Sequence, residues 1–143
     1  MEQNLENLYP FLLERTIRTL KHQQLKMLKK HNIDLTIEQW IVLLGIKNYD
    51  GSTQKEISDK TFKDTANVKR IIDLLIKKGL TKRREHATDP RKSHLTLTDS
   101  GKKIILKALP IMDGVRKKAL LDVSEKEFDY LVSTLKKMYH NLN

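Results

Sequence analysis

The chain has 143 residues, no cysteine, and 28 lysines and arginines against 18 aspartates and glutamates, a formal charge of +10. That length suits one domain, and the absence of cysteine excludes disulfides, thiolate metal sites and thiol redox chemistry. No apolar run approaches the roughly 20 residues that cross a bilayer, and the acidic, polar start MEQNLENLYP lacks the basic-then-apolar order of a signal peptide, so a soluble cytoplasmic protein with no membrane partner is expected.

In chain order, the first element is a helix. Leu8, Leu12, Ile17, Leu20, Leu25 and Leu28 recur at helical spacing, with Pro10 near the start, where a missing N–H costs little. Three further starts share one grammar: Thr36 with Gln39, Thr53 with Glu56 and Ser124 with Glu127 are capping-box pairs. They open TIEQWIVLLGIKNY, TQKEISDK and the last helix, SEKEFDYLVSTLKKMYHNL. Asp64 is the N-cap of DTANVKRIIDLLIKK, which stops at Gly79, a residue suited to the left-handed position past a helix end. After Gly79 the period changes to alternation. LTKRREH and SHLTLT read as two strands joined by a six-residue link, ATDPRK. Thr98 then caps DSGKKIILKALPIMDGVRKKALL, which Pro110 is expected to kink or interrupt. The fold class is therefore mainly α with one small β-hairpin.

The charge is uneven. Residues 1–50 hold 7 bases and 6 acids and residues 95–143 hold 9 and 6, whereas residues 51–94 hold 12 and 6. The middle third thus carries +6 of the +10, the electrostatic footprint of a nucleic-acid binder, although a solvated surface gives the same count. Residues 53 to 79 decide the matter further. A short helix, a tight link TFK and a longer helix have the spacing of a helix-turn-helix. Val68, Ile71, Ile72 and Leu75 fall on the core side of the second helix; Thr65, Asn67, Lys69, Arg70 and Asp73 fall largely opposite. Asn, Arg and Thr near a helix N-terminus are side chains that read base edges or meet phosphate. The hairpin that follows makes a wing, with Lys82, Arg83 and Arg84 in its first strand and Arg91 and Lys92 at its tip. Bases at such a tip suit the negative potential of a narrow minor groove, and Asp89 is close enough to orient Arg91.

These features resemble the MarR family of transcriptional regulators over about residues 35 to 105. The matching pieces are Leu35-Thr36 with Gln39-Trp40, the Gln54/Glu56/Ile57 start, LLIKKGL, the Asp89-x-Arg91 tip and Leu97-Thr98-x-x-Gly101. The family often has a second Arg where Pro90 stands, and a Leu where Thr61 stands, with Phe62 available to fill that space. The resemblance implies a winged-helix homodimer on a palindromic double-stranded operator, Arg91 in the minor groove and the helix from Asp64 in the major groove. It divides the single domain, 1–143, into a DNA-binding core at 33–100 and helical dimerisation regions at 1–32 and 101–143. The expected DNA-binding residues are Thr53, Thr65, Asn67, Lys69, Arg70, Arg83, Arg84, Arg91 and Lys92, with Thr53, Arg83, Arg84 and Lys92 on phosphates.

The ends agree. Phe128, Leu131, Leu135, Met138 and Leu142, together with Ile104, Ile105, Leu109, Ile111 and Val115, exceed what a winged-helix core needs, and a two-fold dimer would bury them. The resemblance also implies a small aromatic or anionic effector in a cleft walled by the first helix, the Trp40 helix and the start of the helix after Thr98, with Trp40 as the candidate stacking residue or an ordinary core residue. No cofactor is expected. The five histidines, at 22, 31, 86, 94 and 140, show no helical pairing, although His86 and His94 stand across the hairpin; surface histidines are expected in place of a metal site. There is no phosphate loop, nucleophile elbow or paired-carboxylate motif, so an enzyme is not expected. Other readings are a winged-helix protein-docking module, which would present an apolar outward face on the second helix, and a non-specific nucleic-acid binder.

Overall fold

A computed structural model describes residues 4–85, 88–89 and 92–143. After a 3-10 turn at Leu5–Asn7 come α1 (Tyr9–Lys30), α2 (Ile37–Asn48), α3 (Gln54–Lys60), α4 (Thr65–Lys77), β1 (Thr81–Arg84), β2 (His94–Leu97), α5 (Asp99–Ala119) and α6 (Glu125–Leu142). All three capping boxes form, at Thr36, Thr53 and Ser124. Asp64 caps α4 by accepting from the Asn67 N–H at 3.1 Å.

Two helix ends close in the same way. Gly79, at φ 73°, follows α4, and the Leu80 N–H donates to the Leu75 carbonyl at 3.0 Å. Asn32, at φ 57°, follows α1, and the Ile33 N–H donates to the Leu28 carbonyl at 2.9 Å. Each satisfies a carbonyl orphaned at the helix end. Leu28 and Ile33, like Leu75 and Leu80, are also buried across the joint, so the caps and the core agree.

α2 is the central element. It packs against α1, α3, α4, α5 and β2. Trp40, Val42, Leu43 and Ile46 on α2 are buried with Ile57 of α3 and with Val68, Ile71, Ile72 and Leu75 of α4, which is the core side expected of α4. Gly45 lies where α2 meets the turn after α3: a Cβ there would sit 3.1 Å from Thr61 Cγ2. Phe62, the side chain available where the family often has a leucine at position 61, packs against the core.

Three expectations are corrected. The strands are shorter than the alternation suggested, and residues 85 to 93 lie between them; alternation marks what can pair, whereas pairing itself ends at Arg84 with His94. Pro110 does not interrupt α5, which continues to Ala119. A proline removes one helix hydrogen bond at a cost of about 3 kcal/mol, and the packing of α5 along α1 and onto α2 and β2 holds the helix through it. The five α5 residues counted as surplus are not: Ile105 and Val115 are buried, and Ile104, Leu109 and Ile111 pack against the core.

The surplus lies elsewhere. α6 has no buried residue, and Leu131, Leu135, Tyr139 and Leu142 are exposed on it. Tyr9, Phe11, Leu13 and Ile17 are exposed on the first half of α1.

Candidate nucleic-acid interface

The joint between α4, the wing and α5 is built around one glycine. Thr98 Oγ1 donates to the Gly79 carbonyl at 2.6 Å and accepts from the Gly101 N–H at 3.0 Å, while the Thr98 N–H donates to the Leu80 carbonyl at 3.1 Å. A Cβ on Gly101 would stand 2.0 Å from the Leu80 carbonyl oxygen, so only glycine lets the two backbones meet. The Leu97-Thr98-x-x-Gly101 pattern is thus the clasp that fixes the wing to the end of α4.

The wing's other edge is fixed to α3. β1 and β2 pair antiparallel from Thr81 with Leu97 to Arg84 with His94. Thr53 bridges His94, the Gly51 N–H donates to the Leu95 carbonyl at 3.0 Å, and the Leu95 N–H donates to the Ser52 carbonyl at 2.8 Å. His94 Nδ1 adds a hydrogen bond with the Gly51 carbonyl. Residues 51–53 are therefore tied to the outer edge of β2 by an isolated bridge directly before α3. The Thr53 hydroxyl accepts from the Glu56 N–H at 3.2 Å, which leaves its proton free to donate.

On α4, Thr65, Lys69 and Arg70 are exposed and Asn67 is half-buried. Four of the expected contact residues, Asn67, Lys69, Arg70 and Arg83, are internally paired. Arg70 donates to Asn67 Oδ1 at 2.9 Å, Lys69 pairs with Asp73 at 3.0 Å, and Arg83 donates to both Asp73, at 2.9 Å, and Gln54, at 3.0 Å. Arg83 and then Lys69 hold the Asp73 carboxyl below the usual aspartate range. Asp73 thus joins β1 to α4, and Gln54 joins it to α3. Sequence reasoning placed Asp73 on this face without its role. The spacing of Lys69 and Asp73 was a visible i, i+4 signal; nothing local pointed to Gln54.

Neighbouring side chains on a strand point to opposite faces. Arg83 turns toward α3 and α4, whereas Lys82 and Arg84 turn away and line a concavity against α2 and α5. Lys92 is exposed, and its N–H donates to the Asp89 carbonyl at 3.0 Å. Arg91 lies outside the described residues, as do Pro90 and His86, so the Asp89–Arg91 and His86–His94 expectations are not visible here. Trp40 is 5% exposed within the core cluster, the core alternative of the two readings it was given. Among the described residues, no group of three or more His, Asp or Glu could hold a metal, and no helix is long and apolar enough to cross a membrane.

A short helix, a turn, a polar-faced helix and a clasped hairpin define a winged helix-turn-helix of the kind transcriptional regulators use on DNA. Comparison with known proteins agrees. The sequence pattern of the MarR family matches residues 33–92. The chain is 32% identical over 137 residues, 96% of its length and 90% of the other's, to the HTH-type transcriptional regulator SarZ of Staphylococcus haemolyticus. It is 26% identical to MepR of S. aureus, solved as a DNA complex, with a TM-score of 0.83 and coverage of 96% and 99% of the two chains. BpsR of Bordetella bronchiseptica, whose DNA binding is regulated by 6-hydroxynicotinic acid, shares the fold at a TM-score of 0.86 and 20% identity, over 97% and 98% of the chains. The chain belongs to the MarR family and is a transcriptional regulator, not an enzyme.

Proposed function

We propose that the protein is a homodimeric, cytoplasmic repressor that grips a palindromic operator and is released from it by a small molecule. The observation that carries this reading is the outward face of the first two turns of α4: Thr65, Ala66, Lys69 and Arg70 are all exposed. That face is polar and cationic, which favours DNA over a protein-docking module. Thr65, Asn67, Lys69 and Arg70 read or line the major groove. Thr53, Arg83, Arg84 and Lys92 meet phosphates, and Arg91 enters the minor groove. The ion pairs of Lys69 and Arg83 are solvent-exposed, and such pairs contribute about 0–1 kcal/mol each, so phosphates or base edges displace them readily.

The exposed apolar faces of α6 and of the first half of α1 support the dimer. So does an apolar groove of about 780 Å³ between α1 and the second half of α5, edged by Leu20, Met27, Ile111 and Val115. The terminal segments, 1–32 and 101–143, are the dimerisation region around a DNA-binding core at 33–100. Two copies would hold their α4 helices about one DNA turn apart, roughly 34 Å.

Selection of bound duplexes from random DNA tests this reading. A palindromic consensus with half-sites about one turn apart is the expected result. Recovery of no preferred sequence by a strictly monomeric protein overturns it.

A further inference from the structure

We infer that Tyr139, near the end of α6, is a positioning residue for the helix-turn-helix: its ring holds Lys63, in the turn between α3 and α4, and so sets how α4 is presented to DNA. The Lys63 ammonium lies 5.1 Å from the centroid of the Tyr139 ring, within the roughly 6 Å of a cation–π contact. The other contacts of this kind among the described residues are more local. Arg15 with Phe11 and Lys126 with Tyr130 each stay within one helix, and Lys60 with Tyr49 ties the end of α3 to the end of α2. Lys63 with Tyr139 instead joins the DNA-reading head to a terminal helix that has no buried residue.

The backbone makes lysine an unfavourable choice at this position. Among the described residues, three that are not glycine have positive φ: Asn32, Asp122 and Lys63, the last at φ 55°. Asn and Asp tolerate the left-handed region because their short polar side chains bond locally, which lysine cannot do. Glycine would make the same turn without strain. Lys63 has no ion pair or side-chain hydrogen bond among the described residues, so the contact that its side chain makes is with the Tyr139 ring. The turn passes its position on to α4. The Lys63 N–H donates to the Ser58 carbonyl at 2.7 Å, which ties it to α3. The next residue, Asp64, caps α4, and Thr65 and Ala66 in the first turn of α4 are exposed on the outward face. A displacement at Lys63 therefore moves the end of α4 that meets the groove. This inference rests on the proposed function only in taking α4 as the groove helix.

The test compares Tyr139→Phe, Tyr139→Leu, Lys63→Met and the double variant Lys63→Met with Tyr139→Leu in the full chain. Without DNA, hydrogen exchange at the Lys63 and Asn67 amides should quicken about two- to fivefold in Tyr139→Leu and keep the parent rate in Tyr139→Phe, which retains the ring. On a duplex recovered by the selection above, at concentrations where each variant has the parent's mass by sedimentation, Tyr139→Leu and Lys63→Met should each weaken binding about two- to fivefold. The double variant should lose no more than either single one, because both remove the same contact. The salt slope should stay at the parent value in Lys63→Met, whereas loss of a direct phosphate contact would reduce it by about one. A reduced slope, additive losses, Tyr139→Phe behaving like Tyr139→Leu, or unchanged exchange in Tyr139→Leu each overturn the inference. Because the exchange measurement uses no DNA, it decides this inference whatever the duplex selection yields, and failure here leaves the operator reading standing.

Discussion

The DNA-reading head and the terminal helix α6 both carry apolar side chains at helical spacing, yet they treat them differently. In the head, Val42, Leu43, Ile46, Ile57, Val68 and Ile72 are fully buried. In α6, an 18-residue helix with a complete capping box, no residue is buried. Caps supply local stability, and a helix of that length standing alone in water is marginal even with good caps. The head is therefore complete within one chain, whereas α6 has its grammar in place and its apolar face without a cover.

That contrast can be broken from the head first. Gly101→Ala should cost about 3 kcal/mol or more, because a methyl group cannot occupy space 2.0 Å from a backbone oxygen. For a chain of this size the midpoint in thermal melting should fall by roughly 10 °C; an unchanged midpoint would show that the clasp is dispensable. From the other side, Leu131→Glu with Leu135→Glu should leave the melting of the head nearly untouched. At about 2 kcal/mol for each leucine buried, the dimer should weaken by 100-fold or more, seen as monomer by sedimentation. If mass is retained, α6 is not the interface.

Arg91→Ala should weaken operator binding by about 1–3 kcal/mol without changing dimerisation, as read by mobility shift; unchanged affinity removes the wing tip from the mechanism. Asp73→Asn should act in a finer way. Freed from the carboxylate, Lys69 and Arg83 should bind scrambled duplex several-fold more tightly at low salt, narrowing the ratio of operator to scrambled DNA. An unaltered ratio would mean that Asp73 does not position them. Smallest is an acid effect. The Asp73 carboxyl is held below its ordinary range by Arg83 and Lys69, so the stability it contributes is present above its unfolded value and disappears as pH falls through the lowered one. The stability difference between parent and Asp73→Asn should be flat from neutral pH down to the ordinary carboxylate range and shrink below it. The magnitude is small because the pair is solvent-exposed.

Much of the head was legible because its signals are local. Thr36 with Gln39, Thr53 with Glu56, and Gly79 each act within four residues of themselves, and the core side of α4 followed from spacing alone. The strand ends were not legible, because pairing with Thr53 and His94 is decided by residues about 40 apart. The survival of α5 past Pro110 depends on α1, far away in sequence. Within the interface, the identities of the exposed residues of α4 could be read, but their partners could not: Arg83 reaches back 29 residues to Gln54. The opposite facing of Arg83 and Arg84 was implicit in strand alternation.

The bridge between residues 51–53 and β2 has a mechanical consequence. It stitches the cationic finger to the doorway of α3 by 2.8 and 3.0 Å backbone bonds, while the glycine clasp bolts the opposite edge to α5. A finger anchored on both sides cannot be retracted while its neighbouring helix stays in the groove. In the proposed repressor, letting go of an operator would then be a swing of the entire paddle rather than a withdrawal of the finger alone.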